Sequence, residues 1–220
     1  MIESTGQPVN VVILNFDRDT ESNVAGYFRA LNAFRRVAGT PTERSNEAVA
    51  VFVNSTLMYP NKPQGLPVAV LTLAHESVHM QNFYRRGVRP GDADYAFDGW
   101  LEEGTAVMME DYASEILVKG YNEIRDSRLP QYLRGSLYNC GLMSMPEPGD
   151  GCDIYAVWGS WGGYLNRQYG MPLYRNLLNN TTEKSSASVL DAAIRSVRPD
   201  SDTVPELRRW APCPHAPRFR

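Results

Sequence analysis

Histidine and cysteine are scarce in this chain, three of each among 220 residues. Three cysteines cannot build a four-thiolate zinc site or the disulfide framework of a small secreted scaffold. Cys140 and Cys152 bracket a loop rich in Pro, Gly and Asp (Met145-Pro-Glu-Pro-Gly-Asp-Gly151), and Cys213 is left over near the end. A disulfide closing that loop and two free thiols are both open readings. Zinc ligation by the pair is disfavoured, because no second pair stands at ligand spacing. No apolar run approaches the length of a membrane-spanning helix. The net charge of −3 leaves no electrostatic footprint for nucleic acid or an anionic membrane. Met1-Ile-Glu-Ser-Thr-Gly6 has neither a basic start nor an apolar core, so no secretion leader is visible. Internal repeats are absent too. The length suits one domain over 1–220 with a substantial core and room for two lobes about a cleft.

Two of the three histidines fall in Thr72-Leu-Ala-His-Glu-Ser-Val-His-Met-Gln-Asn-Phe83. Four residues of α-helix make slightly more than one turn, so His75 and His79 project from one face and can close on one metal ion. Glu76 can face the same site and place a carboxylate beside the metal's open position. The aliphatics around the motif (Val70, Leu71, Leu73, Ala74, Val78) suit a largely buried helix. The bland alternative, two packed core histidines, would leave this spacing to coincidence. A metal helix is the expectation.

A third ligand is expected from Phe97-Asp-Gly-Trp-Leu-Glu-Glu-Gly-Thr-Ala-Val-Met-Met-Glu-Asp-Tyr112. Glu103 and Glu110 lie two helical turns apart on one face, with the small Ala106 between them allowing two helices to approach. Glu103 is the candidate ligand. Glu110 is the candidate acceptor for a histidine N–H, which metal-bound imidazoles require. Glu102 reads as a solvent-facing or substrate-facing residue of a first helical turn, where acids are favoured.

His-Glu-Ser-Val-His followed by Trp-Leu-Glu-Glu-Gly-Thr-Ala resembles the glutamate-ligand zincins (gluzincins). The nearer likeness is to the hyicolysin-type secreted bacterial metallopeptidases, through Leu-Ala-His-Glu-x-x-His-Met-x-Asn-Phe (Leu73 to Phe83) and Glu-Gly-x-Ala-x-x-x-Glu-Asp (Glu103 to Asp111). It runs from roughly Val9 to Ile194 and departs at Glu102, where the pattern usually has asparagine or aspartate. The resemblance implies zinc on His75, His79 and Glu103, a zinc-bound water activated by Glu76, and a protein or peptide substrate. It also implies export, with a leader absent from this chain; a cytoplasmic location is the alternative. Related gluzincins start a helix with Tyr-x-x-Gly and place Tyr-Leu nine residues on. Tyr155 and Tyr164-Leu165 keep that spacing, although the glycine falls at 159. Tyr155 is therefore the expected donor to the oxyanion that develops in the transition state, with Tyr164 as fallback and His215 a distant third.

Along the chain, Val9 to Phe16 reads as a buried strand, Asp17 to Ser22 as a helix cap, and Thr20 to Val37 as an amphipathic helix through Val24, Tyr27, Phe28, Leu31, Phe34 and Val37. A calcium loop at Asp17 fails, because Ser22 stands where a glycine is needed. Ala48 to Asn54 is a second strand, and Pro67 suits the first turn of the metal helix. The arginines of Arg85 to Gly91 read as a solvated turn, with the lining of a cleft as the alternative. The Glu103 helix should reach about Leu117. Short helices follow around Pro130, with Tyr121, Tyr132 and Tyr138 as packing residues. An aromatic helix from Asp153, then Met171 to Leu178 and Glu183 to Val197, complete the helical part. The 150–153 loop is a weak candidate for structural calcium.

The expected fold is α+β and zincin-like: a small β-sheet plus the active-site helix, packed on a mostly α-helical C-terminal half. The lobes would be an N-terminal α/β part to about 90, a helical part from about 91 to 210, and an irregular tail over 211–220. Zinc metalloendopeptidase is the expected activity. An aminopeptidase of the related group would carry Gly-x-Met-x-Asn before the helix, and nothing between Val53 and Leu73 matches it. A non-catalytic zinc-holding module is the other alternative, disfavoured by the intact Glu76. The sequence carries no signal of oligomeric state.

Overall fold

The computed structural model describes residues 8–16, 24–59, 64–135, 137–144 and 149–211. They form an α+β fold with a three-stranded mixed sheet and six α-helices. The chain divides into two compact units, Met1–Met80 and Gln81–Arg220.

The first unit is built on strand β3 (Ala50–Asn54), buried at every residue. Its Val-Phe-Val run suits a pleated strand covered on both faces. Strand β1 (Asn10–Leu14) pairs with it in parallel, Asn10 opposite Ala50. Strand β2 (Gly26–Phe28) pairs antiparallel on the other side, Phe28 opposite Val51. Alternation along β3 separates two faces. Val51 and Val53 pack with Ala69 and Leu73 of helix α1 (Gly65–Asn82), joined by Phe28 and Leu57. Phe52 points the other way, stacked on Tyr27 at 4.6 Å. Pro67 sits in the first turn of α1, where its missing N–H has no helical partner to lose.

Two expectations fail here. β1 is not buried: Val11 and Ile13 are 49% and 55% exposed. Its apolar run is real, but the strand lies at one side of the sheet and β3 takes the central place. Nor do the residues from Val24 onward form a helix. They make β2 and a 3₁₀ turn at Ala30–Ala33. The spacing of Tyr27, Phe28 and Leu31 fits a helical face, yet Gly26 would cost such a helix about 1 kcal/mol. Open backbone groups along β3 offer the aromatic pair a ladder instead. The cap at Asp17–Ser22 lies outside the described residues.

In the second unit, helix α2 (Gly99–Leu117) packs on helix α4 (Ile154–Asn179). The close approach depends on Gly162, where a Cβ would stand 2.9 Å from the Gly104 carbonyl oxygen and 3.1 Å from the Met108 nitrogen. Gly170 (φ 58°, ψ −152°) breaks α4 ahead of Pro172, so Met171 starts a separate helical segment as expected. Helix α3 (Leu129–Arg134) carries Pro130 in its first turn and follows a π-helical turn at Ile124–Arg128. Tyr132 is buried and stacks on Trp210 at 5.1 Å. Cys140 and Cys152 are disulfide-bonded, with Cα atoms 5.8 Å apart, which decides between the two open readings. Helix α5 (Ser186–Val197) ends where expected but starts three residues later than Glu183, and a further helix, α6 (Thr203–Trp210), follows it.

Arg86 is a further correction. It does not lie in a solvated turn; it is fully buried in a π-helical stretch, Phe83–Val88, that prolongs α1. Its guanidinium sits 4.8 Å from the Phe97 ring centre and 5.6 Å from that of Tyr95, and Nη2 donates to the Glu183 carbonyl at 2.9 Å. Cation–π contacts and that bond offset part of its desolvation.

Candidate metal centre

Helix α1 sets the first half of the site. His75 and Glu76 are buried, and His79 is half-buried one turn further on. The two imidazole rings lie 4.8 Å apart, edge to face at 76°. The i, i+4 spacing brings them together, as the sequence predicts.

Strand β2 fixes the carboxylate between them in sequence. The backbone N–H of Phe28 donates to Glu76 Oε2 at 2.7 Å. The strand can come this near only because residue 26 has no side chain. A Cβ on Gly26 would stand 2.5 Å from Thr72 Cγ2, 2.6 Å from the Phe52 carbonyl oxygen and 3.6 Å from Glu76 Cγ. A short edge strand thus holds one carboxylate oxygen of Glu76 in a set direction.

Helix α2 carries Glu103, half-buried in the first turns. Asp98 starts that helix: its carbonyl accepts from the N–H groups of Leu101 and Glu102 at 3.0 Å, and its own N–H donates to Ser186 Oγ at 2.7 Å. Glu102 is not wholly solvent-facing. Half-buried, it accepts a hydrogen bond from Asn82 Nδ2 at 2.9 Å.

His75, His79 and Glu103 each offer one ligand atom, and these atoms all lie within 4.8 Å of one another. Among the described residues this is the one group of three or more His, Cys, Asp or Glu side chains placed to hold a metal ion. Two imidazole nitrogens and one carboxylate oxygen, partly shielded from water, form a donor set that zinc accepts.

The remaining candidates are spread along α2 and α4. Glu110 is buried on α2, and its backbone carbonyl accepts from Ser114 Oγ at 2.7 Å. Tyr155 lies in the first turn of α4, its ring 5.3 Å from the Arg128 guanidinium and 5.9 Å from Trp158. Tyr164 donates its hydroxyl to Glu206 Oε2 at 2.5 Å. Burial and that bond push its pKa up and keep the phenol protonated. Asp153 caps α4, accepting from the Ala156 N–H at 3.1 Å. His215 and Cys213 lie outside the described residues.

Four contributors carry no assignment from the sequence. Gly26 and Phe28 were hidden inside a supposed helix, and an N–H donated by a backbone has no signature in sequence. Asn82 stands within the recognised motif, three residues past His79, but the motif alone assigns it no partner. Asp111, next to Glu110, is fully buried and accepts from Asn122 Nδ2 (2.8 Å), Asn166 Nδ2 (2.9 Å) and Arg167 Nη2 (2.8 Å). It locks α2 against α4. An aspartate on the inward face of an apolar helix was the available clue, since a buried charge needs partners.

Comparison with protein families supplies the class, a metallopeptidase. The chain belongs to the Peptidase M30 (hyicolysin) family, which it matches over residues 1–216. Membership implies a protein substrate and a bound metal. Comparison with curated proteins returns no match. No helix among the described residues is long and apolar enough to cross a membrane.

Proposed function

We propose that this chain is a zinc-dependent metalloendopeptidase in which His75, His79 and Glu103 hold the metal and Glu76 is the general base. The observation that carries this is the donor set of His75, His79 and Glu103, its ligand atoms within 4.8 Å of one another, with Glu76 next to His75 on α1. Zinc held by His75, His79 and Glu103 would supply Lewis acidity, polarising the scissile carbonyl and making the attacking water more acidic.

The chain's own residues do the rest. Glu76, oriented by the Phe28 N–H at 2.7 Å, takes a proton from the attacking water and returns it to the leaving amine. Tyr155 donates its phenol hydrogen to the carbonyl oxygen as negative charge develops there. Tyr164, whose hydroxyl donates to Glu206, is the fallback donor. Glu110 accepts the outward N–H of a ligand histidine and fixes its tautomer. The Cys140–Cys152 disulfide supports an exported protein, since such bonds persist in oxidising compartments.

The endopeptidase assignment rests on the missing Gly-x-Met-x-Asn segment ahead of α1. A peptide blocked at both ends tests it together with the metal. Cleavage should occur at an internal bond, stop on chelation and return on adding zinc. Turnover restricted to substrates with a free amino terminus would overturn the endopeptidase assignment, and full activity after chelation would overturn the zinc assignment.

A further inference from the structure

The end of α1 carries a buried polar cluster that the mechanism above does not use. Asn82 is the last residue of α1 and is 2% exposed. Its amide spends its hydrogens on α2: Nδ2 donates to Glu102 Oε2 at 2.9 Å and to Thr105 Oγ1 at 3.1 Å. Thr105 Oγ1 in turn donates to the Glu102 backbone carbonyl at 2.9 Å. The Asn82 side chain is therefore tied to both the side chain and the turn that follow one another at Glu102. Meanwhile Asn82 Oδ1 is buried with no hydrogen-bond donor among the described residues. Flipping the amide would present that oxygen to a carboxylate, so the orientation is set by Glu102. A residue present only to fill space would leave no buried acceptor unmet.

The position of this cluster gives it a purpose. Asn82 stands three residues past His79 on the same helix, and Glu102 immediately precedes Glu103. Each residue of helix turns by about 100°, so a rotation of α2 by one position would aim residue 103 elsewhere. We propose that Asn82 is a positioning residue for the metal centre, its amide fastening the helix of the histidine ligands to the first turn of the glutamate helix through Glu102 and Thr105. This inference rests on the zinc reading above. It also gives Glu102, the departure from the usual asparagine or aspartate, a defined part as the acceptor. A charge-assisted bond of this kind is directional enough to hold a helix in register. Tyr174, buried beside the cluster, stays protonated through burial and the neighbouring Glu102 charge, so it adds no second charge there.

The test is an exchange of the two groups. Asn82→Asp, Glu102→Gln and the double variant would be compared with wild type for zinc affinity, by competition with a chromophoric chelator, and for thermal stability without metal. In Asn82→Asp two carboxylates face each other, and zinc affinity should fall about 10- to 100-fold, the range for residues that orient metal ligands. In the double variant amide and carboxylate have changed places at constant net charge, and affinity should return to within about threefold of wild type. Asn82→Ala removes both bonds without adding charge; it should weaken zinc binding about tenfold and serves if Asn82→Asp fails to fold.

Wild-type zinc affinity in folded Asn82→Asp or Asn82→Ala would overturn the inference, even if melting temperature dropped. A double variant no better than Asn82→Asp would overturn it as well. A wild-type protein that binds no zinc would instead overturn the zinc reading, and this inference with it.

Discussion

Gly26→Ala perturbs the general base without touching it. The backbone at residue 26 is not in the left-handed region, so the penalty is one of space alone. The added methyl would meet Thr72 Cγ2 at 2.5 Å and the Phe52 carbonyl oxygen at 2.6 Å. Ordinary contact is about 3.5 Å, so β2 must draw away from the Phe52 carbonyl of β3 by about 1 Å. Thr72 can yield through its side chain; the Phe52 oxygen belongs to the sheet backbone and cannot. Overpacking of this kind costs about 1–3 kcal/mol. Stiffening of the unfolded chain by alanine returns about 0.4–1 kcal/mol, leaving a net loss of at most about 2.6 kcal/mol. For a chain of this length that lowers Tm by at most about 10 °C. Activity should suffer more than stability. Phe28 lies two residues along the strand and donates to Glu76 Oε2, and a displacement near 1 Å at a reacting group costs about 100-fold in rate. Calorimetry, zinc content and kcat on a blocked peptide measure the three quantities. The expected result is a modest fall in Tm, unchanged zinc content and a large fall in kcat. Wild-type Tm and kcat would refute the reasoning, because the space at residue 26 would then not matter.

Acid should unfold the protein partly through Glu206. Burial alone would push this carboxyl up, but hydrogen bonds from Ser201 and Tyr164 and the Arg209 guanidinium hold it down to about 2. A depressed folded-state pKa gives stability that is complete above the unfolded value of about 4.3 and lost as pH falls toward about 2. Glu206→Gln should therefore melt earlier at neutral pH and show a flatter acid limb in Tm against pH; an unchanged acid limb would contradict this. Breaking the disulfide as Cys140→Ser/Cys152→Ser frees a loop with a sequence separation of 12. The expected loss is about 2–3 kcal/mol, seen as a lower urea midpoint with zinc content intact.

The parts of this molecule legible in sequence are those fixed by local spacing. His75 and His79 meet because four residues make a turn, and Glu103 lies on a helix that ends at Leu117, where its pattern placed the end. The breaks at Pro67, Pro130 and Gly170 are equally local. What escaped is tertiary. Val24 to Val37 has helical spacing, but pairing with β3 decides its conformation, and nothing within the segment reports that partner. β1 has the composition of a buried strand, yet whether a strand is central depends on the order of the sheet. Arg86 looked solvated because its neighbours are polar; Phe97, Tyr95 and Glu183, which enclose it, are remote in sequence. Asn82 shows the same limit inside the site, since its partners Glu102 and Thr105 lie on another helix.

The central claim is that one carboxylate moves the proton while three other side chains hold the metal. Glu76→Gln separates these roles, because glutamine can still accept from the Phe28 N–H but cannot take a proton from water. Zinc per chain and cleavage of a blocked peptide, measured on the same preparation, should give one equivalent of zinc and no detectable cleavage. Retained cleavage would contradict Glu76 as the base, and lost zinc would contradict its separation from the His75, His79 and Glu103 ligand set.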